Sequence, residues 1–181
     1  MAVNPGAQLC RDLNTRLDAH RENHLVAWTR PATWHLTLMF LGDWPAERTG
    51  ILPASLQERV ASHRPFAVQP GGVAAFPDRR RPRVLFLQMD GGEALLELAS
   101  EVRRAVNEVW PDGPQDRKDF RPHLTLARIK QPLPEPAATA LTALDLGAWK
   151  PFAVDRALLM SSELHAQGAR YTVQAELPLL G

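Results

Sequence analysis

The sequence predicts an α+β fold, a single domain over residues 1–181 built from two similar α/β lobes around a cleft. Two observations carry this expectation. The letters "HLTL" occur at residues 35–38 and return at 123–126, 88 positions later (123 − 35), close to half of the 181 residues. Around each copy, segments with helical period alternate with segments of strand period. The 45% hydrophobic content is enough to build one core under both halves.

Residues 6–22, "GAQLCRDLNTRLDAHRE", place Leu9, Leu13 and Leu17 four apart with charges between them, the spacing of an amphipathic helix that Asn4-Pro5 opens. "HLVAW" and "WHLTLMFL" read as strands. After the turn from Gly42 to Pro45, residues 46–62 read as a helix, and "FAVQPGGVAAF" with "PRVLFLQMD" as strand, loop and strand. Residues 93–110, "EALLELASEVRRAVNEVW", form the clearest helix. A polar loop, "PDGPQDRKDF", leads into the second motif strand. A helix around 134–145 and two strands, about 150–162 and 168–177, close the chain. The sixteen prolines fall mostly between these elements, where a fixed φ and a missing N–H do least harm.

Sliding the second half back by 88 residues lays the first helix on the helix at 93–110 but leaves the strand "RVLFLQMD" without a counterpart. Two explanations stand side by side. "MAV" is the stump of a strand whose beginning the chain lacks, or insertions and deletions have shifted the halves.

Twenty-one Lys and Arg balance twenty acidic residues, so a net charge of +1 gives no general attraction to nucleic acid or anionic membrane. Phosphate recognition must therefore be local. The single Cys10 forms no internal disulfide and stands at no metal-ligand spacing, which suits a reducing cytoplasm. No zinc site, signal peptide or membrane-length apolar run is visible. The expectation is a soluble cytoplasmic monomer with no metal and no cofactor.

In a strand, His35, Thr37 and Met39 point one way, and Leu36, Leu38 and Phe40 the other. His123 and Thr125 repeat the arrangement. Two such strands related by a pseudo-twofold axis line a cleft with two imidazoles and two hydroxyls. Core packing has no reason to repeat a polar pair on one face. Phosphodiester hydrolysis needs a base for water and an acid for the departing alkoxide, on opposite sides of phosphorus. Two imidazoles, titrating near ~6.5 when unperturbed, supply both if their surroundings push the values apart. Thr37 and Thr125 would bond the nonbridging oxygens as an oxyanion hole does. His20, His24 and His63 fall at helix ends or in loops and read as solvated, and His165 lies in the turn of the closing hairpin. Tyr171 and Ser161 in that hairpin read as packing residues.

With these motifs the sequence resembles the 2H phosphoesterase superfamily, named for two His-x-Thr motifs. Within it, the likeness is to the RNA 2′,3′-cyclic phosphodiesterases once called 2′-5′ RNA ligases. "GGVAAFP", "RPRVLFL" and "LLMSSELHAQGARYTVQAELPL" extend it to nearly the whole chain. The resemblance implies a LigT-like fold, two pseudo-symmetric α/β lobes with antiparallel sheets forming a V-shaped cleft. It also implies metal-independent hydrolysis of RNA 2′,3′-cyclic phosphate ends to 2′-phosphates, with 2′-5′ ligation as a companion activity. By this likeness His35 is the acid for the 3′ oxygen and His123 the base for water, an assignment that pseudosymmetry allows to be exchanged. Thr37 and Thr125 hold the phosphate, Phe40 stacks on a nucleobase and Arg128 lies near the phosphate or nucleotide.

Strict alternation objects to the last two, because it sets Phe40 and Arg128 opposite the histidines, so each needs a bulge or a strand end. Core packing is the competing role for Phe40. The run "DRRRPR", with Arg79, Arg80, Arg81 and Arg83, either reaches phosphates of a longer RNA or is a solvated loop. Two rival functions stand beside the first. One is the same chemistry on a small nucleotide or an ADP-ribose cyclic phosphate. The other is an RNA-end binding module that grips phosphate without reacting, which the near-neutral charge disfavours.

Overall fold

The computed structural model describes residues 1–22, 25–48, 50–113, 119–165 and 168–181. His24 and part of the polar loop before the second motif lie outside the described residues. The elements run β1 (Ala2–Val3), α1 (Ala7–Asp18), β2 (Val26–Trp28), β3 (Leu36–Thr37), α2 (Leu52–Val60), β4 (Phe66–Phe76) and β5 (Val84–Asp90). They continue with α3 (Gly92–Val109), β6 (His123–Ile129), α4 (Glu135–Thr142), β7 (Phe152–Val154), β8 (Arg156–His165) and β9 (Gly168–Pro178).

Apolar spacing explains the helices. α1 buries Leu9, Leu13 and Leu17, α2 buries Leu52, Leu56 and Val60, and α3 buries Leu95, Leu98, Ala99, Val102, Ala105 and Val106. These side chains join Leu36, Leu85, Leu87, Leu124 and Leu126 from the strands in one core cluster. Helices therefore cover one face of the sheet, and the histidines belong to the other. Just before α3, Gly91 has no room for a side chain, since a Cβ there would come within 2.6 Å of Leu95 Cβ.

The strands form one curled antiparallel sheet in the order β7-β4-β5-β6-β3-β1-β8-β9, with β2 also pairing β6. Read outward from the central β6 and β3, the order mirrors itself: β5 matches β1, β4 matches β8, and β7 matches β9. The strand that the repeat left without a counterpart thus has one. Val3 pairs Leu36 as Leu87 pairs Leu124. The strand offset is 84 (87 − 3) against 88 for the motif, and the counterpart is β1, two residues within "MAV" against seven in β5.

Four expectations need correction. "WHLTLMFL" is strand only at Leu36–Thr37. Met39 is buried at 2% exposure and Phe40 is 70% exposed, the reverse of strict alternation. His20 and His63 are half-buried rather than solvated, and Nε2 of His63 is shielded and unbonded among the described residues. His165 ends strand β8, in contact with Glu163 at 3.3 Å.

Candidate active site

β3 and β6 meet at the pair Leu36–Leu124. In an antiparallel ladder the next residues along sit opposite one another, which sets His35 beside Thr125 and Thr37 beside His123. Both leucines are fully buried beneath the sheet, so the four polar side chains share its other face. The structure thus brings together the four residues that the twin motif singles out.

Each ring is held in the same way. His35 Nδ1 is 2.9 Å from the carbonyl of Thr33, and His123 Nδ1 is 2.7 Å from the carbonyl of Arg121, in both cases two residues upstream. A carbonyl only accepts, so Nδ1–H must donate. That fixes the tautomer and leaves Nε2 for a ligand: a lone pair when the ring is neutral, a proton when it is charged. Thr37 and Thr125 are half-buried, and among the described residues neither hydroxyl has a hydrogen-bond partner.

The two histidines differ in their surroundings. Tyr171 of β9 meets His35 edge-on, with ring centroids 4.7 Å apart. His123 meets the edges of Phe76 and Phe86 at 5.1 and 5.3 Å, and those two rings stack at 4.2 Å. Burial holds His35 below its ordinary value of 6.5. The Thr33 carbonyl opposes that shift, while the buried α-amino group and His123 add to it. The register sets the two imidazoles diagonally across neighbouring strands on the same face.

Arg128 and Phe40 are both freed from the buried face by one device used twice. Along "HLTLMF" and along "HLTLAR", burial follows the same course: two half-buried polar residues separated by leucine, then two consecutive buried residues, then an exposed one. In β6 the extra residue is a bulge. Phe86 pairs Thr125 and Leu85 pairs Ala127, so Leu126 has no opposite number. In the first half, Leu38 N and Met39 N both donate to the Met1 carbonyl, at 2.9 and 3.4 Å. Each break shifts the alternation by one and leaves the following side chain exposed.

Tyr171, Phe76 and Phe86 are the neighbours that sequence reasoning did not assign to the site. A signal for Phe86 exists in the position parity of β5, where Val84, Phe86 and Gln88 take the places between Leu85, Leu87 and Met89, although Phe86 is itself buried. Among the described residues no group of three or more His, Cys, Asp and Glu is gathered as a metal site, and no helix is long and apolar enough to cross a membrane.

The model of the 2′-5′ RNA ligase superfamily matches residues 11–166. The chain belongs to that superfamily. Among superfamily relatives, an Aquifex aeolicus protein named RNA 2′,3′-cyclic phosphodiesterase is 34% identical over 155 residues, 85% of this chain and 82% of that one. A Thermus thermophilus protein of the same name is 36% identical over 158 residues, 83% and 74% of the two chains. A crystal structure of a Thermus thermophilus protein superposes with a TM-score of 0.87 at 30% identity, covering 99% of this chain and 96% of the other. E. coli LigT complexed with 3′-AMP shares the fold with a TM-score of 0.78 at 22% identity. The superfamily fold agrees with the α+β class, realised here as one curled antiparallel sheet with four helices.

Proposed function

We propose that this chain is an RNA 2′,3′-cyclic phosphodiesterase that hydrolyses the cyclic phosphate at an RNA end to a 2′-phosphate. The observation that carries this is the Leu36–Leu124 pair, which aligns two His-x-Thr motifs with both Nε2 atoms left for substrate. The names of the relatives support the same reaction.

In this reading His123 Nε2 takes a proton from water as the oxygen attacks phosphorus in line with the P–O3′ bond. That bond breaks, and His35 Nε2 delivers a proton to O3′, so one proton passes in net from water to the leaving oxygen. Each transfer is worth about 10²- to 10⁴-fold. His35 is depressed in the free protein, and an arriving anion favours its charged form. Thr37 and Thr125 donate to the nonbridging oxygens, whose charge grows in the transition state. Arg128 adds a fixed cation on the same face, and the exposed ring of Phe40 offers a stacking surface for a base. A 5′-hydroxyl entering in place of water would give a 2′-5′ linkage by the same displacement.

The domain organisation is part of the proposal. Residues 1–181 act as one domain of two duplicated lobes, supported by the mirrored strand order and by the burial course shared by 35–40 and 123–128. Each chain carries both motifs, which supports a monomer as the working unit, and one lone cysteine suits the cytoplasm. The decisive experiment is turnover of an oligonucleotide with a 2′,3′-cyclic end. A 2′-phosphate product from wild type, absent with His35→Ala and with His123→Ala, supports the reading. Unchanged substrate after long incubation with saturating wild-type protein would make the chain a binding module instead.

A further inference from the structure

The displacement uses one arginine, yet three more are gathered beside it. β4 ends at Phe76, whose ring touches His123. The chain then turns through residues 77–83 and enters β5 at Val84, which pairs Arg128. Backbone bonds fasten the base of this turn: Arg83 N donates to the Phe76 carbonyl at 2.7 Å, and Ile129 N to the Arg83 carbonyl at 2.9 Å. Within it, the Asp78 carboxylate accepts from Arg80 N and Arg81 N at 2.8 and 2.9 Å. These bonds hold the Asp78 carboxyl below the usual carboxylate range.

The turn is therefore fixed in shape while Arg79, Arg80 and Arg81 stand exposed around it. Among the described residues none of their guanidiniums has an ion pair. Arg59, Arg104 and Arg156, in contrast, are each bridged to carboxylates. Three adjacent guanidiniums face one nearby carboxylate, Asp78, which is engaged by backbone N–H groups rather than by any of them, so the turn carries an excess of positive charge in a chain whose net charge is only +1. Three residues of β6, about 10 Å of strand, separate Thr125 from Arg128, and the turn begins beyond that point. The cationic surface thus continues outward from the phosphate-binding face.

We propose that the 77–83 turn is a subsite for upstream phosphates of an RNA strand whose cyclic end lies between the histidines, so that oligonucleotides are preferred over mononucleotide cyclic phosphates. This rests on the phosphodiesterase reading of the site. An extended polyanion leaving the cleft past Arg128 meets Arg79, Arg80 and Arg81 in turn, and guanidinium forks suit phosphate oxygens.

The test compares wild type with the triple variant R79Q/R80Q/R81Q on a nucleoside 2′,3′-cyclic monophosphate and on cyclic-ended oligonucleotides of two to eight nucleotides, across a potassium chloride series. Wild-type kcat/KM should rise with length over the first few nucleotides and fall with salt. The variant should keep wild-type turnover of the mononucleotide, which also reports correct folding, and lose about tenfold in kcat/KM on the longer oligonucleotides. Its log–log salt slope should be shallower by about 2, at about 0.7 per single-strand phosphate contact. Equal losses on both substrates, or no loss on the oligonucleotides, would overturn the subsite. Fluorescence anisotropy with a 2′-phosphate-ended oligonucleotide separates the two proposals. Salt-sensitive binding that the variant loses, in a protein inactive on every substrate, supports the subsite and sinks the phosphodiesterase reading. Equal binding by both proteins sinks the subsite.

Discussion

Leu36 and Leu124 pair across the middle of the sheet, and this one backbone contact sets each histidine beside the threonine of the other motif. Both side chains are fully buried. Truncation at either position opens a cavity under the catalytic face. Leu124→Ala should cost about 2–5 kcal/mol in urea unfolding, the range for buried leucines. A cost below about 1 kcal/mol would mean that the strands close over the gap.

Loss of either imidazole should be severe and unequal in kind. His35→Ala and His123→Ala are each expected to lower kcat by about 10²- to 10⁴-fold. The double variant should fall short of the product of the two, because the groups act in one step. A substrate with sulfur in place of O3′ needs little protonation to leave, so it should rescue the acid variant alone. Rescue of His35→Ala fits the assignment above, and rescue of His123→Ala instead exchanges the roles. EDTA should leave wild-type turnover unchanged.

The His35 ring should titrate below 6.5 in the free protein, read from its imidazole proton shifts by NMR. The sign of the linked stability follows. Between the folded and unfolded values the unfolded chain binds more protons, so stability rises with pH in that window. Stability is unaffected by this group above 6.5 and declines as pH falls from there through the depressed folded value. His35→Gln should flatten that portion of the profile. An unfolding free energy that rises as the solution is acidified through this window, with the rise lost in the variant, would contradict the burial argument.

Tyr171 should matter through its ring rather than its hydroxyl. Tyr171→Phe is expected to keep near wild-type kcat, since the edge contact at 4.7 Å survives. Tyr171→Ala removes an aromatic pair worth about 0.5–1.5 kcal/mol, so kcat should drop by about two- to tenfold. Readmitted water should also raise the His35 midpoint toward 6.5. A Phe variant as impaired as Ala would assign the hydroxyl a direct role.

Arg128→Gln should raise KM with little change in folding, because the side chain is exposed. A hydrogen bond to a charged group is worth about 1.5–3 kcal/mol, which predicts a loss of about 10- to 100-fold in kcat/KM. Arg128→Lys should recover part of this. An unchanged KM would return Arg128 to the solvent.

The twin motif made the centre of the site legible because its chemistry repeats in plain letters and because alternation is reliable over three residues. Helices were legible for the same kind of reason: the leucines of α1 and the long apolar stripe of α3 repeat at helical period. Phe40, Met39 and Arg128 were misplaced by alternation, since a bulge is a property of two paired strands and leaves no mark in either alone. Tyr171 was invisible as a neighbour of His35 because 136 residues separate them (171 − 35), and only the sheet order, with β8 and β9 folded back beside β1, brings them together. The counterpart of β5 was legible only as the stump "MAV", because two residues of strand carry no period and the pairing offset of 84 differs from the motif's 88.

A cleft whose backbone repeats under a half-turn offers a cyclic phosphate two poses of equal main-chain energy. Only side chains that differ between matched positions can lift that degeneracy. At the equivalent sites beyond each motif stand an aromatic ring, Phe40, and a cation, Arg128. In the proposed reaction the departing ester oxygen would then be set by the side chains that differ about the two motifs, Phe40 and Arg128 together with Tyr171 beside His35 and Phe76 and Phe86 beside His123.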